Sequence, residues 1–407
     1  MIFFSIPGSI RKIAFLGTHT PRQCGIATFT ADLRSAIAAR YPQLDCFVVA
    51  VDDPLQRYSY PECVRMEIAQ EDPSSYRKAA DVLNGWSPDV VSLQHEYGIF
   101  GGRAGSHVLG FLRGLRAPVV TTLHTILSQP DPHQWTALDE IIRFSERLVV
   151  MSAHGASLLR KVHGVPQRRI DLIPHGIPQV PFHSLTKGQL GLGGRQVLLT
   201  FGLLAPDKGI EYVIEAMPAI LEAFPQAVYV VLGASHPHIR ARQGESYRTM
   251  LEHRARNLGV ADHVVFRNRF VTQDELTEYL AAADIYITPY LKMEQSTSGT
   301  LAYALGAGKA VISTPYRCAK ELLADGRGVL VPCRDPDSIA REVAGLLGDD
   351  ARRMAMRRKG AEYGRAMAWP VVAAGYLESF GRACRDHARL DPDAPPWRAV
   401  QLPLEQP

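Results

Sequence analysis

The sequence lacks closely spaced cysteines. Its six cysteines are far apart and form no C-x-x-C pair; they are Cys24, Cys46, Cys63, Cys318, Cys333 and Cys384. Structural zinc sites and disulfide frameworks both depend on cysteines at short, regular spacings. The pattern therefore argues against a zinc-stabilised module and a disulfide-rich secreted domain. It fits a reducing compartment, so we expect a cytoplasmic protein.

The sequence also lacks a strong charge excess and a long apolar run. Lys and Arg number 45 against 41 Asp and Glu, which gives a net charge of +4. Nucleic-acid-binding domains concentrate basic residues on one face, and no such block is present, so we expect no nucleic-acid partner. No apolar run approaches the ~20 residues that a membrane-spanning helix needs. The dispersed cations neither require nor exclude peripheral contact with a membrane.

What the sequence does have is two series of short β-branched segments, separated by helical patterns. The chain has 407 residues, 46% of them hydrophobic, which is enough for two or three domains with sizeable cores. Segments that are apolar on both faces are typical of buried parallel strands. The first half has six, at 12–17, 45–51, 90–95, 118–124, 147–152 and 169–176. The second half has six, at 196–202, 227–234, 263–267, 284–290, 310–315 and 328–332.

The segment between the two series, 176–195, is rich in Gly and Pro and is typical of a linker. The pattern predicts an α/β fold with two doubly wound parallel-sheet domains facing a cleft. One helix, at 209–224, is predicted from an apolar face that repeats every three or four residues. Ligands of such sheets bind beyond the carboxyl ends of the strands, so the informative residues should directly follow strands.

In the first half, polar residues follow three predicted strands. A loop of small residues, 17–30, leads from the first strand into a helix and contains Gly25. Small residues at such a turn let backbone N–H groups approach an anion, but the spacing is not G-x-G-x-x-G. His95, Glu96 and Tyr97 follow the third strand, and His124 follows the fourth. Two histidine-containing clusters at neighbouring strand ends favour a binding site over a purely structural role.

In the second half, the polar residues suit an anionic ligand. Lys208 opens the helix after the first strand, where its ammonium is available to a phosphate. Arg267 and Arg269 follow the third strand; a solvated loop explains them equally well. The most informative stretch, 289–313, places a carboxylate and a carboxamide before a helix that begins with small hydroxyl residues and glycine. The start of that helix offers unpaired N–H groups and a positive dipole end to a diphosphate.

Two features are interpreted as structural. Asp335-Pro336-Asp337 is a candidate metal motif, but its position predicts a helix N-cap before 338–347. Asp391-Pro392-Asp393 lies in a Pro-rich tail, so no metal site is expected. His175, in the segment Ile173-Pro174-His175-Gly176, is expected to stabilise the chain crossover between the domains.

These motifs together resemble the retaining GT-B glycosyltransferases, in particular glycosyltransferase family 4 and a distinct bacterial subgroup of it. The resemblance extends from about Lys12 to His387. It depends on the glycine loop after the first strand, the LHT segment at 123–125, IPHG at 173–176, DKG at 207–209, the stretch 289–314 and Trp369. In the family, this late Trp precedes a helix that crosses back to the first domain.

The resemblance implies two Rossmann-like domains. An acceptor-side domain would span 1–180 together with a crossover helix at 371–388, a nucleotide-sugar donor domain would span 181–370, and a tail would follow at 389–407. The co-substrate would be a GDP-, UDP- or ADP-sugar and the acceptor a saccharide or another hydroxyl compound. No cofactor and no metal are expected. The implied reaction is sugar transfer with retention of the anomeric configuration.

The resemblance also implies roles for individual residues. Lys208 matches the lysine at the donor diphosphate, His124 the histidine near the donor sugar, and Gly25 the glycine at the donor phosphate. Catalytic roles are thus expected for His124, Lys208 and Glu294. Donor contacts are expected from Gly25, Lys208, Arg267, Arg269, Gln295, Ser298, Gly299, Thr300 and Tyr303. Acceptor-side contacts are expected from His95, Glu96 and Tyr97.

The chain departs from the family at three positions of the donor site. The usual arginine after the strand glycine is Leu203 here, and the two glutamates of the E-x7-E motif align with Gln295 and Tyr303. A tyrosine at the second position also occurs in glycogen synthases, and Glu294 is one residue from the first. Two alternatives stay open. One is a GT-B sugar phosphorylase or nucleotide-sugar epimerase, which would bind phosphate or UDP in the same cleft. The other, which the changes at Leu203 and Gln295 suggest, is a nucleotide-sugar-binding protein without turnover.

Overall fold

The computed structural model describes residues 10–53, 57–178 and 187–389. It divides the chain into two compact units. The first comprises the described residues of Met1–Pro174 and Trp369–Pro407, and the second comprises those of His175–Ala368. The predicted boundary between residues 180 and 181 lies outside the described residues, as does the predicted tail from residue 390 onward.

The first unit is a parallel sheet with helices on both faces. Its strands are β1 (Lys12–Gly17), β2 (Asp45–Asp52), β3 (Val64–Ala69), β4 (Val90–His95), β5 (Val119–Leu123), β6 (Arg147–Val150) and β7 (Ile170–Leu172). Its helices are α1 (Gly25–Arg40), α2 (Pro73–Trp86), α3 (Val108–Gly114), α4 (Pro132–Phe144), α5 (Ala153–Val162) and, from the end of the chain, α14 (Trp369–Ala388). Within the described residues the strand order is β3-β2-β1-β4-β5-β6-β7.

The second unit repeats this plan. Its strands are β8 (Gln196–Phe201), β9 (Ala227–Leu232), β10 (Val264–Arg267), β11 (Ile285–Thr288), β12 (Ala310–Ser313) and β13 (Val329–Leu330). Its helices are α6 (Ile210–Ala223), α7 (Pro237–Gln243), α8 (Ser246–Asn257), α9 (Gln273–Ala282), α10 (Gly299–Gly306), α11 (Arg317–Leu322), α12 (Pro336–Gly348) and α13 (Asp350–Gly364). The strand order is β10-β9-β8-β11-β12-β13 in the described part of the unit.

All twelve predicted strands are present, each shortened or extended by a few residues at most at either end. The predicted helices at 209–224 and 371–388 correspond to α6 and α14. Strand β3 was not predicted, because it lies at the sheet edge and its side chains alternate between exposed and buried. The α/β doubly wound prediction is therefore confirmed, and the first sheet has one strand more than expected.

The strand order places the candidate ligand sites. In each unit it reverses direction between two strands, β1 and β4 in the first and β8 and β11 in the second. The loops that follow these two strands run to opposite faces of the sheet and leave a crevice at its carboxyl edge. Nearly all the residues singled out in the sequence follow these strands or their neighbours.

Helix α14 completes the core of the first unit. Its buried face, which includes Tyr376, Leu377 and Phe380, packs with Phe29 and Leu33 of α1 and with the inner residues of the sheet. Asp171 of β7 accepts hydrogen bonds from the buried Arg147 of β6 and from Ser379 of α14. Among the helices in the described ranges, none combines the length and the hydropathy that a membrane span requires.

Candidate active site

The loop after β8 is held against the end of β11. Gly209, which opens α6, has a φ of 64°, and a Cβ atom there would lie 2.2 Å from the carbonyl oxygen of Pro289. Any other residue would clash with that backbone and would also be strained in its left-handed conformation. The glycine of the Asp-Lys-Gly sequence is therefore required for the loop to approach the switch point, and this approach places Lys208.

The Lys208 ammonium is positioned by an aromatic ring. Its Nζ atom lies 3.9 Å from the ring centroid of Tyr290, which follows β11. A cation over an aromatic face is attracted by the ring quadrupole. The Tyr290 hydroxyl lies 3.0 Å from Oγ1 of Thr300 in α10, and the ring stacks on Tyr316. Lys208, Tyr290 and Thr300 thus form a continuous chain of contacts from the start of α6 to the start of α10.

Helix α10 begins at this end of the sheet. Ser298 is its N-cap, and its hydroxyl accepts a hydrogen bond from the backbone N–H of Leu301 at 3.3 Å. The first turn is formed by Gly299 and Thr300, whose N–H groups have no partner within the helix. These groups and the helix dipole make the start of α10 attractive to an anion. The start of α10 therefore has the geometry of an anion-binding helix N-terminus, and donor contacts at 298–300 stay a prediction.

His175 is a residue of this region to which the sequence assigned only a crossover role. Its Nδ1–H donates to the carbonyl oxygen of Gly176 at 2.7 Å, so the neutral ring carries its lone pair on Nε2. Burial lowers the pKa of His175 to about 4. The ring lies over Gly299 and meets Tyr303 edge-on, at a centroid distance of 6.0 Å. The only signal in the sequence was a histidine followed by glycine at the start of the linker.

Glu294 contacts the start of α11, whereas Gln295 is engaged inside its own loop. The Glu294 carboxylate pairs with the Arg317 guanidinium at 2.6 Å, and about half of its side-chain surface is exposed. Gln295 donates from its amide nitrogen to the backbone carbonyl of Thr297 at 3.0 Å.

The two arginines after β10 differ in their surroundings. Arg267 donates from Nε to the hydroxyl of Tyr279 at 3.2 Å, whereas Arg269 pairs with Glu275 at 2.6 Å and is 58% exposed. Leu203, which directly follows the strand glycine Gly202, lines a small pocket beside Lys208 and Tyr290.

An ion-pair cluster that the sequence did not reveal follows β9. Glu245 accepts a hydrogen bond from Ser235 and pairs with Arg248 at 3.2 Å. These hydrogen bonds, above all the one from Ser235, lower the pKa of the Glu245 carboxyl. Ser235 bridges to Leu204 of the β8 loop, so the cluster supports that loop from the side.

In the first unit, the loop after β1 ends at an open helix start. Cys24 is the N-cap of α1, and its sulfur accepts a hydrogen bond from the N–H of Ala27 at 3.2 Å. Gly25 is exposed, and a Cβ atom there would have no neighbour within 4 Å. The helix start is accessible, as a phosphate contact at Gly25 would require.

His124 is almost fully buried at the carboxyl end of β5. Its Nε2 lies 3.0 Å from Oε1 of Gln94, and the ring meets Phe29 edge-on at 4.9 Å. Its backbone N–H donates to the carbonyl of His95. The β4 and β5 ends are therefore joined at this point through both backbone and side chain.

The three predicted acceptor-side residues lie in different environments. His95 is fully buried and stacks on Phe100, and desolvation lowers its pKa to about 4. Neither of its ring nitrogens has a hydrogen-bond partner among the described residues. Glu96 accepts hydrogen bonds from Thr125 and from the backbone N–H of Tyr97. Only Glu96 and Tyr97 are partly exposed, and the His95 ring lies inside the core in this conformation.

Of the aspartates that the sequence analysis interpreted as structural, Asp335 and Asp337 lie in the described ranges. Asp335 caps α12, accepting from the backbone N–H of Ser338 at 2.9 Å. In the described ranges, no three His, Cys, Asp or Glu side chains are grouped so that they could hold a metal ion. Asp391 and Asp393 lie outside those ranges.

Comparison with known proteins adds two family matches that together cover most of the chain. The model described as Glycosyltransferase Family 4 matches residues 24–179, and the model described as Glycosyl transferases group 1 matches residues 185–364. The two matches correspond closely to the two units.

Relatives similar in sequence agree with these matches, and a solved structure shares the fold. The phosphatidyl-myo-inositol mannosyltransferase of Mycolicibacterium smegmatis is 30% identical over 317 residues, which is 76% of this chain and 75% of the relative. The D-inositol 3-phosphate glycosyltransferase of Nocardiopsis dassonvillei is 26% identical, over 73% of this chain and 71% of the relative. The crystal structure of Anabaena HepE in complex with UDP shares the fold, with a TM-score of 0.68, 16% identity and coverage of 90% and 97%.

Proposed function

The chain belongs to glycosyltransferase family 4, a retaining family with the GT-B fold that uses nucleotide-sugar donors, and we propose that it transfers a sugar to a hydroxyl group of its acceptor without a metal ion. In this proposal the second unit binds the donor and the first unit presents the acceptor. The anomeric configuration of the sugar is retained in the product.

The observation that carries the proposal is the contact chain in the second unit. Lys208, Tyr290 and Thr300 lie together at the switch point, and Thr300 belongs to the first turn of α10. Breaking the bond between sugar and diphosphate leaves negative charge on the leaving group. Hydrogen-bond donors that are already in place before the reaction stabilise such charge at little reorganisation cost. Lys208 and the N–H groups at the start of α10 are hydrogen-bond donors of this kind.

The remaining donor-site roles follow from the same placement. Ser298 orders the first turn of α10, Gly299 and Thr300 supply backbone donors, and Gly25 leaves room for a phosphate at the start of α1. His124 is proposed to act on the sugar ring. Tyr303 replaces the second glutamate of the family motif.

Three further side chains have to give up their present partners before they can contact the nucleotide-sugar donor. Glu294 has to exchange Arg317 for the ligand, Gln295 has to release Thr297, and Arg269 has to release Glu275. Arg267 needs a smaller change, because its hydrogen bond to Tyr279 engages only Nε. We propose Arg267 or Arg269 as the replacement for the cation lost at Leu203.

The acceptor is proposed to meet Glu96 and Tyr97 at the end of β4, with His95 supporting them from the core. The relatives' names include inositol phosphate and phosphatidylinositol acceptors. We therefore propose that the acceptor panel should contain a cyclitol phosphate and a phosphoinositide as well as simple saccharides.

The decisive experiment combines binding with turnover. A thermal-shift panel of UDP, GDP, ADP and TDP identifies the nucleotide, since a ligand that binds the folded state raises the melting temperature. The matching nucleotide sugars are then incubated with the acceptor panel and the products are resolved by mass spectrometry. Transfer supports the proposal. Sugar release that depends on inorganic phosphate would indicate a phosphorylase, and interconversion of the donor sugar would indicate an epimerase. Nucleotide-sugar binding with neither transfer nor slow hydrolysis would indicate a protein that only binds.

A further inference from the structure

A buried polar row connects β4 to His124. Ser92 and Gln94 are two residues apart on β4, so their side chains point to the same face of the sheet. Both are fully buried, and the face they share is covered by α1 and α14. Buried polar side chains in a parallel sheet are costly unless their hydrogen bonds are made. The row therefore requires a partner for each of its polar groups.

The Gln94 amide is held at both ends. Its Nε2 donates to the Ser92 hydroxyl at 3.1 Å, and its Oε1 lies 3.0 Å from Nε2 of His124. With the nitrogen facing Ser92, the carbonyl oxygen faces the imidazole. A carbonyl oxygen only accepts hydrogen bonds, so Nε2 of His124 has to be the donor.

The amide also has little room to move. A Cβ atom at Gly17 of β1 would lie 2.9 Å from Cβ of Gln94, so this glycine is what allows the Gln94 side chain to pack against the neighbouring strand. On the other side, Gln94 is in register with Thr122 of β5, whose hydroxyl bonds to Tyr376 of α14 at 3.0 Å. The side chain is enclosed by β1, β5 and α14.

We propose that Gln94 is a positioning residue for His124: its fixed amide keeps the proton of the neutral imidazole on Nε2. The lone pair of the ring is then on Nδ1, which makes that atom a hydrogen-bond acceptor suited to a sugar hydroxyl. A hydrogen bond made by one nitrogen of a neutral histidine commonly fixes which of the two nitrogens carries the proton. The tautomer follows from the orientation of the Gln94 amide, whereas its importance for transfer rests on the proposed function.

The test measures the tautomer directly in the ligand-free protein. Long-range proton–nitrogen NMR correlation on protein with ¹⁵N-labelled histidine distinguishes an Nε2–H ring from an Nδ1–H ring, and the His124→Gln spectrum assigns the signal. We expect Nε2–H in the unmodified protein. Gln94→Met keeps the side-chain length and removes the acceptor, so a mixture of tautomers is expected.

Turnover provides the second readout. Gln94→Met should lower kcat for transfer by about tenfold or more while the Kd for the nucleotide stays within about twofold, because the nucleotide does not depend on the tautomer. Gln226→Met, on the exposed surface of the second unit, is the matched control and should change neither value. Ser92→Ala should also yield mixed tautomers, since the amide is then free to turn, and Ser92→Thr should restore the single tautomer.

The outcomes distinguish a failure of the positioning role of Gln94 from a failure of the proposed function. An Nδ1–H or doubly protonated ring in the unmodified protein overturns the proposal, as does an unchanged tautomer in Gln94→Met. If that variant does not fold, an unchanged tautomer in Ser92→Ala overturns it instead. If the tautomer behaves as expected but no sugar transfer is found with any donor, the proposed function has failed and the positioning of His124 has not.

Discussion

The Nε2 atom of His175 lies against Gly299, so closely that a Cβ atom at residue 299 would be 2.9 Å from it. Two turns further along α10, a Cβ at Gly306 would lie 1.8 Å from the Ile177 side chain. His175 is the first residue of the second unit. The chain that enters this unit therefore runs along a glycine-lined face of the helix that is proposed to bind the donor phosphates.

Gly299→Ala should destabilise the protein by about 1–3 kcal/mol, because the added methyl group overpacks the His175 contact. Urea denaturation measures the effect. The control is Gly85→Ala in α2, where the new Cβ meets nothing within 4 Å and the better helix propensity should stabilise slightly. Adding His175→Ala should remove most of the cost of Gly299→Ala. Equal costs in the presence and absence of the imidazole would contradict the contact as described.

Lys208→Ala should weaken nucleoside diphosphate binding by about 10- to 150-fold, since a charge-assisted hydrogen bond contributes roughly 1.5–3 kcal/mol. Arg269→Ala should cost less, because its guanidinium is exposed and already paired with Glu275. Calorimetry on both single variants and the double variant measures these values. If Arg269 contacts the same anion as Lys208, the two losses will not add. Unchanged nucleotide affinity in all three variants would exclude this site as the place where the diphosphate binds.

Asp171→Ala should destabilise the first unit by about 3–5 kcal/mol, because it removes the buried counter-charge of Arg147 and leaves only the longer contact with the half-exposed Asp386, at 3.8 Å. It also removes the acceptor for Ser379 and Arg382 of α14. Asp45→Ala breaks the exposed pair with Arg65 and should cost less than about 1 kcal/mol. Denaturation curves of the two variants test this difference, and similar losses for both would refute it.

His387 should give the protein a pH-dependent increment of stability. The hydrogen bond with Glu146, at 2.7 Å, raises the pKa of His387 above its ordinary value of 6.5. The charged imidazole is therefore favoured in the folded state, so the increment is fully present below pH 6.5 and is lost as pH rises through the folded-state pKa. The difference in unfolding free energy between the unmodified protein and His387→Gln should shrink over that range. A difference that is constant with pH would exclude this linkage.

Transfer should continue in EDTA. In the proposed mechanism the leaving diphosphate is stabilised by Lys208 and the start of α10, and the described residues contain no three-ligand group for a metal. Initial rates are compared with EDTA and with added magnesium or manganese. Loss of activity in EDTA that either ion restores would show that the charge is stabilised by a metal.

The strands could be predicted because most of them are buried on both faces, and such strands are distinctive in sequence. Strand β3 could not, since its exposed Arg65 and Glu67 alternate with partly buried residues as in many surface segments. The first residue of α6 was predicted to within one position because Gly209 marks the turn. The order of strands in each sheet, by contrast, depends on which crossovers pack, and no single segment encodes it.

Candidate site residues that belong to a local sequence motif could be predicted, and Lys208 and Ser298 are examples. It was not predictable where function depends on a partner distant in sequence. The sequence placed Gln94 in a polar segment, but only the fold brings its amide to His124. His175 likewise gains significance only from its contact with Gly299, 124 positions later along the chain. Arg317 could not be foreseen as the partner of Glu294.

The return of α14 to the first unit has a consequence for synthesis. The ribosome makes β1 to β7 first, but the helix that covers Phe29 and bonds to Asp171 is made only after the whole second unit. Part of the apolar surface of the nascent first unit therefore stays exposed until α14 has been synthesised. The second unit is continuous in the chain and can fold as it emerges. Chaperone demand should accordingly be concentrated on the early half of the polypeptide and end when α14 leaves the exit tunnel.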